Sequence, residues 1–173
     1  PNKIDRVLGI TKAYTTRVGE GPFPTELEDE IGENLRKKGG EFGTTTGRPR
    51  RCGWLDALLL RYSVRINGMS ALAMTKLDVL DDLDTIKVCV GYRVGSEVIS
   101  EFTTDFRKLR ECTPVYEELP GWKTDTSGVK EYRDLPGEAK SYIKFVEKII
   151  RAPISIISVG PRRAQTVILR KFV

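Results

Sequence analysis

The chain has 173 residues and a net charge of +5, from 29 Lys and Arg against 24 Asp and Glu. Its content of 39% hydrophobic and 31% charged residues is typical of a globular protein and excludes a disordered or collagen-like chain. No apolar run is long enough to cross a bilayer, and the positive charge favours anionic partners in general.

The sequence contains no histidine, which limits the chemistry that it can perform. Acid–base catalysis or metal binding would have to use carboxylates, lysine or another segment, so most hydrolase constellations are excluded. The three cysteines are widely spaced and form no CxxC pair, which favours reduced thiols in an intracellular protein over a zinc site or a disulfide framework. The chain opens at Pro1 without Met or signal sequence, so we expect a processed protein or part of a longer polypeptide.

The N-terminal part predicts a strand followed by a helix. Residues 7–18 (VLGITKAYTTRV) are rich in β-branched and aromatic side chains and predict one buried strand. Thr25 and Glu28 have the spacing of a capping box, and apolar residues at i, i+4 and i+8 from Leu27 predict a helix. Gly39-Gly40 then predicts its end.

The middle of the chain predicts a loop, a helix and two strands. Residues 41–53 have neither a helical nor a strand period and predict a loop, whereas 54–67 return to helical spacing. Strands are predicted at 69–74 and 85–92, and Gly95-Ser96 predicts a hairpin turn.

The C-terminal part predicts one long helix and two strands. Residues 102–129 are punctuated by Pro and Gly and show no clear period. An amphipathic helix is predicted over 136–151, with strands at 154–158 and 166–169. Because strands and helices alternate, we expect an α/β fold with a mostly parallel sheet and flanking helices.

Residues 43–51 (GTTTGRPRR) have the composition of an anion-binding loop. Glycines let the backbone approach a ligand, threonine hydroxyls donate hydrogen bonds, and guanidinium groups bind carboxylate or phosphate in a bidentate manner. Residues 36–65 carry eight basic side chains against two acidic ones, Glu41 and Asp56. A solvated basic loop is the alternative, with roughly even odds from spacing alone.

The stretch Thr75-Lys76-Leu77-Asp78 follows a predicted strand, where ligands of parallel sheets tend to lie. Its carboxylate could accept both the N1–H and the exocyclic amino group of guanine, a donor pair that adenine lacks, while the lysine stem covers the purine face. Taken alone, the stretch is more often a strand end with a turn-capping Asp. Ser158-Val159-Gly160-Pro161 forms a second strand end. No aromatic and basic residues alternate as in a platform for nucleic-acid bases, so we expect no nucleic-acid partner.

Two stretches are too specific to be generic: EFGTTTGRPRRCGWLD at 41–56 and TKLDVLDDL at 75–83. They resemble the adenylosuccinate synthetase family. TRVGEGPFPTEL at 16–27, ELPGW at 118–122 and SVGP at 158–161 are similar to the same family in the same order. The resemblance therefore covers essentially the whole chain and about the C-terminal two-fifths of a full-length member.

The resemblance implies that residues 1–173 are a single segment, the C-terminal part of a synthetase domain with a P-loop-like GTP-dependent ligase fold. It implies a ligase of purine and AMP biosynthesis that joins IMP and L-aspartate into adenylosuccinate, GDP and phosphate. In this family the γ-phosphoryl group of GTP is transferred to O6 of IMP, and the aspartate amine then displaces it. The resemblance also implies Mg²⁺, a homodimer and a cytoplasmic location, with an organelle open because any transit peptide would precede Pro1.

The resemblance also implies which residues bind each substrate. The aspartate-binding residues would be Thr44, Thr45, Thr46, Gly47, Arg48, Pro49 and Arg50. The IMP-binding residues would be Val18 and Arg48. The GTP-binding residues would be Arg50, Lys76, Leu77, Asp78, Ser158, Val159 and Gly160.

The family's phosphate loop, its catalytic Asp and His and its magnesium ligands have no counterpart in these 173 residues. We therefore expect no catalytic or metal-binding residue in this segment and no activity from the chain alone. The alternative is a stand-alone nucleotide-binding or interaction module derived from the same fold. A phosphate loop encoded upstream of Pro1 would distinguish the two.

Overall fold

The structure is a computed structural model that describes residues 4–171. The strands in that range are β1 (Leu8–Lys12), β2 (Thr15–Arg17), β3 (Arg51–Gly53), β4 (Leu55–Asp56), β5 (Ala71–Thr75), β6 (Thr85–Val94), β7 (Glu97–Ile99), β8 (Thr113–Pro120), β9 (Ile154–Ser158) and β10 (Thr166–Ile168). The α-helices are α1 (Glu30–Lys38), α2 (Ala57–Ile66), α3 (Phe106–Glu111) and α4 (Gly137–Ile150), and 3₁₀ helices lie at Leu77–Leu80, Tyr132–Asp134 and Arg163–Gln165.

Two four-stranded sheets and a short ribbon organise these elements. The first sheet has the order β1-β5-β9-β10, in which β1, β5 and β9 are parallel and β10 is antiparallel. The second is centred on β6, which pairs in parallel with β4 and antiparallel with β7 and β8. The predicted α/β class with a mostly parallel sheet is confirmed in the first sheet, and β2 and β3 form the ribbon.

Helix α4 packs one apolar face against the core of the fold. Its buried side chains recur every three or four residues, as in Ala139, Ile143, Val146 and Ile150, which explains the amphipathic period in the sequence. The Tyr142 hydroxyl donates to the Ala13 carbonyl at 2.6 Å and so links α4 to the chain just after β1. No helix within 4–171 is long and apolar enough to cross a membrane.

The parallel pairing determines where a site can form. Lys12 at the end of β1 lies opposite Thr75 at the end of β5, and Met74 lies opposite Ile157 near the end of β9. The carboxyl ends of three strands therefore meet at one edge of the first sheet, where ligands of α/β proteins usually bind. The segments that follow β1, β5 and β9 begin at this edge.

The prediction of one strand over 7–18 is wrong, because β1 and β2 belong to different sheets. Ala13 and Tyr14 between them are both 2% exposed, and two consecutive buried residues do not fit the alternation of a half-buried strand. The predicted capping box at Thr25 is wrong as well. Helix α1 begins after Asp29, whose carboxylate accepts from the Gly32 amide at 3.0 Å, although its predicted end at Gly39 is confirmed.

The remaining differences from the predicted elements have simple causes. The loop predicted at 41–53 ends at residue 50, where β3 begins, and α2 begins only after Asp56, whose carboxylate accepts from the Leu59 amide at 3.1 Å. The Gly95-Ser96 hairpin is confirmed by the pairing of Val94 with Glu97. Residues 102–129 contain α3 and β8. Strand β8 lacks a clear period because it pairs on one side only and carries Pro and Glu.

Asp81 holds an otherwise irregular segment onto the fold. Its carboxylate is 6% exposed and accepts from Trp122 Nε1 at 2.6 Å, from the Thr126 amide at 2.7 Å and from the Thr126 hydroxyl at 2.9 Å. Removing one partner from such a buried set leaves the others unsatisfied.

We expect Asp81→Ala to lower the free energy of unfolding by about 3 kcal/mol, because three buried donors lose their acceptor. The matched control is Asp82→Ala, since the neighbouring Asp82 is exposed and forms only a surface ion pair with Lys38. Urea unfolding followed by tryptophan fluorescence measures both. Equal effects of the two substitutions would contradict the assigned role of Asp81.

Candidate functional site

A cleft of about 460 Å³ lies at the carboxyl edge of the first sheet. It is lined by residues from three separated segments, among them Gly40 after α1, Lys76 and Asp78 after β5, Ser158 at the end of β9 and Gly160 after it. The structure thus brings together the stretch 75–78, whose side chains predicted a guanine site, and the strand end at 158–160, which the resemblance assigned to GTP. Leu77 and Val159 are fully buried, so their side chains belong to the core.

Asp78 presents an unpaired acceptor in this cleft. Its Oδ1 atom is buried and has no hydrogen-bond partner among the described residues, and burial raises the pKa of this carboxyl. Buried polar atoms are nearly always hydrogen-bonded, so an orphaned acceptor that lines a cleft indicates a ligand or an ordered water. Lys76 precedes it in the left-handed conformation, with φ of 60°, and donates to the Gly39 carbonyl across the cleft.

Residues 43–50 form a closed loop held by its own backbone. The Gly43 amide donates to the Arg48 carbonyl and the Gly47 amide to the Gly43 carbonyl, each at 2.8 Å. Gly47 has φ of 64°, a conformation that favours glycine. The residues at its tip are exposed: Thr44, Thr45, Thr46, Gly47, Arg48 and Pro49. The loop therefore presents hydroxyl and guanidinium groups to solvent on a fixed backbone.

Val18 lies beside the end of this loop. Strand β2 pairs with β3 so that Arg17 lies opposite Arg51, and Val18 follows directly. Its side chain is 78% exposed, which is unusual for valine and fits an apolar contact with a ligand or with another part of the protein.

A buried carboxylate connects the loop to the cleft. Glu41 is 0% exposed, and its Oε2 atom lies 2.7 Å from Lys12 Nζ and 3.1 Å from an Arg50 guanidinium nitrogen. Its Oε1 atom accepts from the Tyr14 hydroxyl at 2.6 Å and lies 3.2 Å from Lys76 Nζ. We call these five residues the Glu41 cluster. Three cations surround one carboxylate within it.

The electrostatics of the Glu41 cluster keep the carboxyl ionised. Burial alone would raise the pKa of Glu41, but hydrogen bonds from Lys12, Tyr14 and Lys76 lower it to about 2. Burial lowers the pKa of Lys12 despite its bond to Glu41, and burial together with the carboxylate raises the pKa of Tyr14. The cluster therefore contains a stable anion under neutral conditions.

The sequence predictions missed Lys12, Tyr14 and Glu41. A count of charges recorded Glu41 only as one of two acids in a basic segment, yet both of those acids are buried, at 0% for Glu41 and 4% for Asp56. An isolated acid within a basic segment was therefore the sequence signal for a buried carboxylate. Within residues 4–171, no three side chains of the metal-binding types His, Cys, Asp and Glu gather into a group able to hold a metal ion.

Comparison with known proteins places the chain in a family. The family model of adenylosuccinate synthetase matches residues 1–167. The adenylosuccinate synthetase of Carboxydothermus hydrogenoformans is 60% identical over 169 residues, which cover 98% of this chain and 40% of the relative. This chain belongs to the adenylosuccinate synthetase family.

Other members support the same assignment. The adenylosuccinate synthetase of Thermodesulfovibrio yellowstonii is 55% identical over 97% of this chain and 40% of its own length. The structure of fully ligated adenylosuccinate synthetase from Plasmodium falciparum superposes with a TM-score of 0.94 at 43% identity, over 98% of this chain and 41% of that one. The resemblance found in the sequence is confirmed. The chain spans about 40% of the length of the curated relatives that it matches.

We expect Glu41→Gln to lower the free energy of unfolding at pH 7 by about 3 kcal/mol, because the pKa of about 2 lies well below the ordinary 4.5. This stabilisation is complete above pH 4.5 and is lost as the pH falls towards 2, so the variant and the original protein should converge in acid. Chemical unfolding at a series of pH values measures the difference.

Glu20→Gln is the control for this prediction, because Glu20 is exposed. It should leave the pH profile of stability unchanged. A Glu41→Gln protein whose stability falls with acid as steeply as the original would show that the carboxylate is not held in its ionised form.

Proposed function

We propose that these 173 residues are the C-terminal part of a GTP-dependent ligase that joins IMP and L-aspartate into adenylosuccinate. The observation that carries the proposal is the buried, unpaired Asp78 Oδ1 in the cleft shared with Ser158 and Gly160. Guanine offers two adjacent N–H donors to one carboxylate, and adenine does not. Family membership supplies the reaction to which this recognition belongs.

In this proposal the cleft binds the guanine base of GTP. Asp78 accepts from N1–H and the exocyclic amino group, the aliphatic stem of Lys76 lies over the purine, and the segment of Ser158, Val159 and Gly160 contacts the base carbonyl. The buried side chains of Leu77 and Val159 leave only their backbone groups for this purpose. The phosphate groups would be held outside this segment.

The loop 43–50 then binds L-aspartate. Its threonine hydroxyls and the guanidinium groups of Arg48 and Arg50 suit a dicarboxylate, since each guanidinium can hold one carboxylate through two parallel hydrogen bonds. Arg48 and Val18 would also contact IMP, and Arg50 would reach GTP. Positioning the amine next to the phosphorylated purine is the contribution of this segment to catalysis.

Three further properties belong to the same proposal. The family implies Mg²⁺, a homodimer and a cytoplasmic location. Residues 4–171 bring together no set of metal ligands, so no step here involves the metal. A stand-alone nucleotide-binding module is the second candidate, favoured by the guanine cleft lying within this chain, and a phosphate loop encoded upstream of Pro1 would decide against it.

Asp78→Asn in the full-length ligase should raise the KM for GTP about 30-fold or more, because a charge-assisted contact of about 2–3 kcal/mol is lost. It should also remove the preference for GTP over inosine triphosphate, which lacks the exocyclic amino group. Steady-state kinetics with both nucleotides measure this. Asp82→Asn is the exposed control, and an unchanged preference in Asp78→Asn would overturn the guanine assignment.

Arg48→Leu should raise the KM for L-aspartate and for IMP by a comparable factor, because the variant loses a bidentate ligand of both. Arg93→Leu is matched in chemistry, and Arg93 is exposed on β6, away from the loop. Initial rates with each substrate varied in turn would detect the change. Kinetics of Arg48→Leu that equal those of the original enzyme would remove the loop from the aspartate site.

A further inference from the structure

The Glu41 carboxylate receives donors from three separate parts of the chain. Lys12 and Tyr14 come from the end of β1 and the link that follows it, Arg50 from the end of the loop 43–50, and Lys76 from the segment after β5. The last two belong to the two loops that the proposed function assigns to aspartate and to guanine. One buried side chain therefore lies between two substrate sites that are 26 residues apart in sequence at Arg50 and Lys76.

The two carboxylate oxygens divide these donors in a regular way. Oε2 accepts from Lys12 and lies 3.1 Å from Arg50, and Oε1 accepts from Tyr14 and lies 3.2 Å from Lys76. Each oxygen thus has one donor from the β1 region and one from a substrate loop. The carboxylate is fixed to the sheet side of the site and offers one oxygen to each loop.

The three cations of the Glu41 cluster repel one another, so their positions depend on the carboxylate. Lys12, Arg50 and Lys76 are close enough that the charges of Arg50 and Lys76 lower the pKa of Lys12. Without the carboxylate the three cations would repel one another, and repulsion in a partly buried site is stronger than in water. Arg50 and Lys76 lie on connecting segments, whereas Lys12 is the last residue of strand β1.

The backbone around Glu41 reinforces the connection. The Arg50 amide donates to the Glu41 carbonyl at 2.9 Å, and Lys76 Nζ also donates to the Gly39 carbonyl two residues before Glu41. Arg50 Nε is buried without a hydrogen-bond partner among the described residues, whereas a terminal nitrogen of the same guanidinium donates to Glu41. One donor of Arg50 therefore remains available. Glu41 restrains both cations without using up their hydrogen-bonding capacity.

We propose that Glu41 is a positioning residue that holds Arg50 and Lys76 against one carboxylate, so that the aspartate loop and the guanine loop are ordered as one unit. The proposal rests on the proposed function for the identity of the two substrates. Glu41 touches neither substrate and acts only through the two cations. Loss of its charge should weaken both substrates together, although they occupy different loops.

The test compares Glu41→Gln with Glu97→Gln in the full-length ligase. Both substitutions remove one carboxylate charge, but Glu97 is exposed on β7 and lies outside the Glu41 cluster. Glu41→Gln should raise the KM for L-aspartate and the KM for GTP about tenfold each, a size typical of coupling between sites. Glu97→Gln should change neither by more than about twofold, and Glu41→Asp, which keeps the charge, should recover part of both losses.

Hydrogen exchange of the backbone amides, measured by mass spectrometry on the same proteins, gives a readout that needs no activity. Exchange at 43–50 and at 75–78 should quicken in Glu41→Gln and stay unchanged in Glu97→Gln. Unchanged KM values, a loss confined to kcat, or faster exchange in only one of the loops would overturn the positioning role. An original enzyme without ligase activity would overturn the proposed function instead, and exchange alone would then decide whether Glu41 orders the two loops.

Discussion

The ionised Glu41 carboxylate, fully buried among three cations, is the interaction on which the arrangement of the site depends. A carboxylate in that position is tolerated only with several charge-assisted partners, so the segments that supply them must meet. The same constraint requires a glycine at residue 39, where a Cβ atom would lie 2.1 Å from the Tyr14 hydroxyl. A side chain at residue 39 would push away the donor that Glu41 requires, which explains the glycine better than its role as a helix end alone.

Buried carboxylates organise the connections elsewhere in the fold too. Asp56 caps α2 through the Leu59 amide and accepts from the Tyr92 hydroxyl, so the helix start is fixed to β6. Asp81 fixes the segment that contains Trp122. In each case an acid next to a secondary-structure end satisfies donors from a distant part of the chain. Helices and strands are stabilised by their own backbone hydrogen bonds and apolar faces. The connections contacted by Glu41, Asp56 and Asp81 are instead fixed by these buried acids.

This division explains which parts of the fold could be predicted from the sequence. Helix α4 and strand β9 were predicted almost to their ends because a local period sets the buried face. The run 7–18 was mistaken for one strand, since β-branched residues continue across Ala13 and Tyr14 while the chain passes from one sheet to another. Which sheet a strand joins is decided by partners far away in sequence. A local pattern contains no information about those partners.

The same limit applies to the site. Hydroxyl, glycine and arginine content predicted a basic loop at residues 43–51, either an anion-binding loop or a solvated one, and the structure shows a loop whose tip is exposed. The burial of Glu41 could not be predicted in the same way, since the sequence marks it only as an isolated acid in a basic run and the fold alone buries it. In the Glu41 cluster three cations face one buried carboxylate, so the cluster itself carries a net charge of +2. A site that keeps its cations ordered by one internal anion, and still carries positive charge in excess, can accept a second anion from solution, as the proposed binding of a dicarboxylate requires.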